Sequence, residues 1–194
     1  MFIAWDKFKA DKKHKKGVSE YEQNLEQNIF ALHRELRDQT YRHDRYESFW
    51  IRDPKLRNIN KATVRDRVLH HAVYQVLNSI FEPTFIPASY SCRVGKGTHK
   101  AVGKLTTILR RESRNNAHQC WVLKCDIKKF FDSIDHDILV GLLQKKIKDE
   151  KAVWLLEDLI ESYTVSSNRE RERERVEKAR RSVISPASFS LISI

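Results

Sequence analysis

Residues Trp121 to Leu139 read WVLKCDIKKFFDSIDHDIL. A short apolar run ends in one acid, Asp126, and continues through Lys128 and Lys129 into Phe130 and Phe131. Strands normally end in turn residues, so a carboxylate backed by two aromatic rings calls for an explanation. The pattern predicts a buried strand over 119–125 with Asp126 at its end, then helices at about 136–148 and 151–163. A carboxylate there projects from the sheet edge, where loops and ligands meet. Taken alone, such an acid more often caps a helix or sits in solvent.

The whole chain changes that reading. Its 194 residues are 32% charged and 40% hydrophobic, with a formal net charge of +11. A soluble chain this basic is expected to meet a polyanion, nucleic acid before a membrane surface. No apolar run approaches the roughly 20 residues that span a bilayer, and the opening MFIAW meets charge too soon for a signal peptide. No membrane role and a cytoplasmic location are therefore expected. Cys92, Cys120 and Cys125 are odd in number and lack the C-x-x-C spacing of zinc sites. Even with His99 they fit no zinc pattern, and buried thiols are expected.

Further elements follow from periodicity. Residues 7–16, KFKADKKHKK, read as a basic arm, either frayed in solvent or in contact with phosphate. Ser19 and Glu22 have capping-box spacing ahead of Tyr21, Leu25, Ile29, Leu32 and Leu36, which predicts one helix to about Arg37. RYESFWIRDPKLRNIN alternates around Asp53-Pro54 and predicts a hairpin with the proline at its turn. Thr63 and Asp66 open the clearest helix, with an apolar stripe from Val68 through Val76 to Phe81, ending before Pro83. His70 and His71 are neighbours on it, about 100° apart around the axis, and cannot chelate together. Gly95 and Gly97 bracket Lys96 before a helix capped at Thr98 or nearby, an arrangement open to phosphate. That helix is expected to bury Ala101, Leu105, Ile108 and Leu109. Arg93, Lys96, Lys100 and Lys104 are the candidate nucleic-acid contacts. Strands separated by helices indicate an α+β (mixed α/β) arrangement, mostly helical with a short antiparallel sheet.

An acid facing a polyanion in so basic a protein is repelled unless a cation lies between them. Mg²⁺ takes carboxylate and phosphate oxygens together, which is what phosphoryl transfer requires. LKCDIKKFFDSIDHDIL resembles the first catalytic motif of bacterial reverse transcriptases of the retron, diversity-generating and group II intron kind. DPKLRNINKATVRDRVLHHAVYQVL resembles their fingers, and FIPASYSCRVGKGTHKAV the segment that follows. Trp5, Phe8 and the first helix also fit, so the likeness covers about 1–163 in order. It implies a right-hand polymerase divided into an N-terminal arm (1–17), fingers (18–118) and a partial palm (119–164). The activity implied is RNA-directed DNA synthesis from dNTPs on an RNA template with a DNA or RNA primer. Asp126 and the Ile127 carbonyl are implied as ligands of Mg²⁺ (or Mn²⁺). Lys129 and Phe130 are implied to lend amides to the triphosphate, and Phe131 to act as the ring that excludes a ribose 2′-hydroxyl. Arg57, with Lys55, is implied to grip the triphosphate, for which a guanidinium fork is suited. Phe130 is also expected to pack into the palm. Asp132 and Asp135 read as turn and helix-cap residues.

The family continues with a segment resembling G-x-P-x-G-N-L-T-S-Q-x-F-A-N and a tyrosine-x-Asp-Asp turn. Here RERERER and VEKARRSVISPASFSLISI follow instead. Like charges at i and i+4 in the first run gain little from helical pairing, so 165–194 reads as low complexity. Permitted codons for EKARRSVISPASFSLISI, read one nucleotide earlier, give K-G-T-P-x-G-N-L-T-S-Q-L-F-A-N-I-Y, so this tail is expected to be out of frame. On that reading the chain is a truncated and inactive polymerase fragment. The alternative is a non-catalytic RNA-binding module that keeps the fingers, with a plain basic helical domain as a third reading.

Overall fold

The computed structural model describes residues 1–127 and 130–163, without the side chain of Asp132. The described chain is mostly helical with one two-stranded antiparallel sheet, the α+β class expected. It divides within a helix into two compact units. One contains Met1–His70 and the chain from Ile134 onward, the other His71–Ser133.

In the first unit, α1 (Phe2–Lys9), α2 (Lys16–Gln23) and α3 (Leu25–Arg37) precede a hairpin of β1 (Glu47–Asp53) and β2 (Lys55–Lys61). The start of α4 (Val64–Phe81) also belongs here, with α6 (His136–Gln144) and a helix over 150–163, α7. Trp5, Phe8, Val18, Ile29 and Val68 form the buried cluster, so α1 to α4 share one core. The N-terminal residues are thus folded, where a frayed basic arm was one expectation. Trp5 and Phe8 supply the reason, since two buried aromatic rings outweigh the cost of ordering the terminus. Lys12 and Arg67 both lie over the buried Phe8 ring, at 5.1 and 4.8 Å from its centre.

The expected single helix from Ser19 is two helices. Ser19 lies inside α2, and the chain turns at Asn24 with φ −121° and ψ 35°. Asn28 Nδ2 donates to the Tyr21 carbonyl at 3.0 Å, satisfying an acceptor that the break exposes. Glu22 accepts from Lys9 Nζ at 2.9 Å, tying α2 to α1 instead of capping a helix. The hairpin matches expectation: Asp53 pairs with Lys55 across Pro54, which has no amide to offer a ladder. Asp135, read as a cap, accepts from the Ile138 amide at 3.0 Å.

Around Asp66 the unit has a polar core. This carboxylate is fully buried in the first turn of α4. Oδ1 accepts from Tyr41 Oη at 2.8 Å and from the Arg65 guanidinium at 3.1 Å. Oδ2 accepts from Thr63 Oγ1 at 2.7 Å and the Asp44 amide at 3.1 Å. Thr63 Oγ1 in turn accepts from the Asp66 amide at 3.3 Å, so the two expected helix openers do cap α4. Arg65 also pairs with Glu35 of α3 and donates to the Arg42 carbonyl at 3.2 Å. Asp158 of α7 accepts from Arg42 at 3.2 Å and from the His43 amide at 3.1 Å. One buried acid and its neighbours thereby hold α3, the 38–46 connector, α4 and α7.

The second unit holds the remainder of α4, a loop over 85–97, and α5 (Thr98–Glu112). Several expectations fail here. The buried strand over 119–125 is absent: these residues carry no strand, and Trp121 is 85% exposed. A strand exists only through a ladder partner, and the two described strands pair with each other. Nothing in α5 is buried, and Leu105 is 50% exposed. No described element buries its apolar stripe, and such a face is covered only by a packed layer. The apolar stripe of α4 is likewise buried only at its start, at Val68 and Leu69, while Val76 is exposed. Thr98 is the first residue of α5 and not its cap; Gly97 occupies the cap position without a side-chain bond. Cys92 and Cys125 are exposed and Cys120 is partly so, contrary to the expectation of buried thiols.

Two outcomes are expected from the Asp66 centre. Asp66→Asn should cost about 3 kcal/mol in urea unfolding, because buried donors lose their charged acceptor. A loss below about 0.5 kcal/mol would place the stability elsewhere. Burial first, then the Asp66 charge and the bond to it, raises the Tyr41 hydroxyl far above its ordinary value of 10.0. Only the unfolded chain then ionises Tyr41 near pH 10, so its contribution is intact below that pH and declines above it. Tyr41→Phe should therefore lower stability at neutral pH and flatten its fall in alkali; an unchanged alkaline slope would contradict this.

Candidate functional site

The hairpin in the first unit presents two of the expected nucleotide contacts. The register places Ile51 opposite Arg57 and Asp53 opposite Lys55. Opposed residues share a face, so Lys55, Arg57, Ile51 and Asp53 lie together, with Phe49 and Ile59 further along. Both cations are exposed. Lys61 pairs with Glu47 at 3.1 Å, and Ser48 donates to Asn60 at 2.6 Å, so the open end of the hairpin is pinned by side chains. Its tip leaves Lys55 and Arg57 facing solvent, where a phosphate can be met bidentately by the guanidinium.

In the second unit the 85–97 loop is built around its basic residues. The Arg93 guanidinium donates to Glu82 at 2.8 Å and to the carbonyls of Ile86 and Ser89 at 3.0 and 3.1 Å. It also lies 5.4 Å from the Phe85 ring centre. Lys96 donates to the Pro87 carbonyl and lies over Tyr90 at 5.1 Å. Lys100 donates to the Gly95 carbonyl. Gly95 and Gly97 have φ of 71° and 104°, and a side chain at either would be strained. Of the four expected nucleic-acid contacts, three thus hold the loop together, while Lys104 is exposed on α5. The cations still define a positive surface, but Arg93 is committed to protein acceptors before any ligand arrives.

Asp126 and Ile127 are exposed in the segment without a strand. Phe130 and Phe131 meet edge to face at 5.3 Å, and Phe131 is 70% exposed. The turn Phe131–Ser133 is closed by the Ser133 amide and hydroxyl, both donating to the Phe130 carbonyl, at 3.1 and 2.8 Å. Phe130 is half exposed, against the expectation that it packs into the palm. The preceding segment carries no strand, so among the described residues no sheet face forms beside it. Lys129 lies outside the described residues, as does the tail over 165–194.

Among the described residues no three acids, histidines or cysteines are grouped so as to hold a metal ion. One exposed carboxylate with a neighbouring carbonyl falls short of a two-metal donor set, so no metal-bound step is assigned to these residues. No described helix is long and apolar enough to cross a membrane. The sequence reading missed the Asp66 centre: Thr63-x-x-Asp66 signals a cap, but nothing near Tyr41 or Asp158 marks them as its partners.

Comparison with known proteins joins these segments. A family model described as reverse transcriptase (RNA-dependent DNA polymerase) matches residues 51–192, and so extends across the arginine-glutamate run and the segment expected to be out of frame. Group II intron-encoded protein LtrA of Lactococcus lactis subsp. cremoris is 32% identical over 134 residues, 68% of this chain and 21% of that protein. An uncharacterized 91 kDa protein in the cob intron of Schizosaccharomyces pombe is 33% identical over 114 residues, 58% of this chain and 13% of that protein. Nuclear intron maturase 1, mitochondrial, of Arabidopsis thaliana is 32% identical over 93 residues, 48% of this chain and 12% of its own length. The chain therefore spans about a fifth or less of these relatives. The matched range, from within the hairpin onward, takes in the glycine-bracketed loop and the acid with its paired phenylalanines: the chain belongs to the reverse transcriptase (RNA-dependent DNA polymerase) family.

Proposed function

We propose that this chain supplies the fingers and the first catalytic segment of an RNA-directed DNA polymerase of the group II intron type. The observation that carries the reading is the family match over 51–192, a range that contains Arg57, Asp126, Phe130 and Phe131. Arg57 and Lys55, exposed side by side on one hairpin face, bind the triphosphate of an incoming dNTP. Asp126 is the first metal-binding acid and Ile127 lends its carbonyl. Lys129 and Phe130 offer amides to the phosphates, and Phe131 tests the sugar for a 2′-hydroxyl. Lys96, Lys100 and Lys104, with Arg93 fixing the loop, face the RNA template and its primer. Mg²⁺ or Mn²⁺ supplies charge neutralisation in such a reaction. It needs carboxylates beyond Asp126.

The 194-residue chain alone is accordingly read as inactive. A second reading, a non-catalytic RNA-binding module, draws on the unpaired 119–127 segment and on the lack of a metal-binding group among the described residues. Nucleotide binding separates the two. As polymerase fingers, the chain is stabilised against heat by dNTPs, and Arg57→Ala removes that stabilisation; as a module, it shows no such effect in either form.

Three further outcomes are expected. The purified chain should give no primer extension on an RNA template with Mg²⁺ or Mn²⁺, and robust extension would refute the reading of inactivity. RNA affinity should change less than about two-fold in Asp126→Ala, since removing an acid costs a phosphate chain nothing. The coding sequence should contain an AG-rich tract at the RERERER run with the G-N-L-T-S-Q segment in the neighbouring frame; a gene without either ends the frame proposal.

A further inference from the structure

The outer side of α3 carries charges that the fold leaves unanswered. Ile29 and Leu32 of this helix are buried, and Leu25 packs against the same cluster. Glu26, Phe30 and Arg34 recur at i, i+4 and i+8 and are all exposed, so they form one ridge turned away from the core. Glu26 and Arg34 lie about 12 Å apart along the axis, too far to pair with each other. Neither forms an ion pair among the described residues. The Phe2 ring of α1 meets Phe30 edge to face at 6.3 Å, and Ile3 is exposed next to Phe2. Other large apolar side chains are exposed too. These sit on helices whose inner faces are already packed, and Phe30 stands midway between two opposite charges.

We infer that this ridge is the interface of a homodimer, in which α3 packs antiparallel on α3 of a second copy about a two-fold axis at Phe30. Such an axis sets each position before Phe30 against the one equally far after it on the other copy. Glu26 then meets Arg34 of the second copy, and Arg34 meets its Glu26. Gln27 and His33 face each other in the same way, and the Phe30 and Phe2 rings of both copies form an apolar centre inside this polar rim. A parallel pair would set Glu26 against Glu26, so the charges specify the antiparallel one. RNA suits the ridge less, because Glu26 would face its phosphates. Phe2, Ile3 and Phe30 give too little apolar surface to lie in a membrane. The net charge of +11 on each copy opposes association at a distance. At physiological salt that repulsion is screened beyond about 8 Å, while the pairs in contact act within that length. One helix face and three apolar side chains make a small interface, so dissociation on the order of micromolar is expected. The dimer is independent of the polymerase reading and adds an assembly to it.

The test is sedimentation of the full chain, treated with nuclease, over a concentration series at physiological salt. A monomer–dimer equilibrium is expected. Phe30→Ala should weaken it roughly ten-fold. Glu26→Arg and Arg34→Glu should each weaken it roughly ten-fold, because either change sets like charges together in two places. The double variant with both changes should recover the wild-type dissociation constant, a result that misfolding cannot produce. With Cys92, Cys120 and Cys125 changed to serine, Phe30→Cys should give a disulfide-linked dimer on oxidation, since the axis brings position 30 to its own copy. A chain that stays monomeric, a dimer indifferent to Phe30→Ala, or a double variant as weak as the single ones would overturn the inference. Association seen only before nuclease treatment would overturn it in favour of bridging by RNA. Each of these outcomes leaves the polymerase reading standing, because that reading is tested by dNTP stabilisation and its loss in Arg57→Ala.

Discussion

A carboxylate without access to water is tolerable only if every lone pair it exposes is answered, and Asp66 meets that condition from four directions. Its donors come from α4 itself, from Thr63 before it, and from Tyr41 and Asp44 on the connector. Through Arg65 the same centre reaches Glu35 on α3. The connector that it fixes is also the one that Asp158 of α7 grips. Residues about twenty and ninety positions from Asp66 are thus held to one point, beside an aromatic core made by Trp5 and Phe8. Hydrophobic burial gives the first unit its stability, and the buried acid specifies which way the connector runs into the hairpin.

That constraint matters for function because the hairpin follows directly from the connector. Its strands are exposed on both faces, so its direction is set at its base by the Asp66 centre and by the Glu47–Lys61 and Ser48–Asn60 pairs. Lys55 and Arg57 stand at the tip of a lever anchored in this way. The second unit differs in kind. Its loop is internally stapled by Arg93, Lys96 and Lys100, but α5 is exposed along its apolar stripe and the segment leading to Asp126 lacks a ladder.

What could be read from sequence follows the same division. The hairpin was legible because Asp53-Pro54 admits few alternatives between two alternating runs, and α4 because Thr63 and Asp66 precede a long apolar stripe. Asp135 was legible as a cap for the same local reason. The Asp66 centre was not, because Tyr41 and Asp158 are brought to it by tertiary packing that no short window encodes. The strand over 119–125 was predicted from composition that does suit a buried strand, but β structure depends on a partner elsewhere in the chain. Leu105, Phe130, Cys92 and Cys125 are exposed as well, so apolar composition in these windows did not predict burial. Of the expected site residues, Arg57 and Lys55 are placed together by register alone, while the roles of Arg93, Lys96 and Lys100 within their loop were visible only in three dimensions.

Order in the first unit centres on Asp66, and the segment over 119–127 joins no described strand. Native-state hydrogen exchange of the purified chain tests this most directly. The amides of α3, the first turns of α4 and the Asp44 amide should exchange slowly and together, while those of 119–127 exchange as an unprotected chain does. Strong protection across 119–127, or rapid exchange at Asp44 and the start of α4, would contradict it.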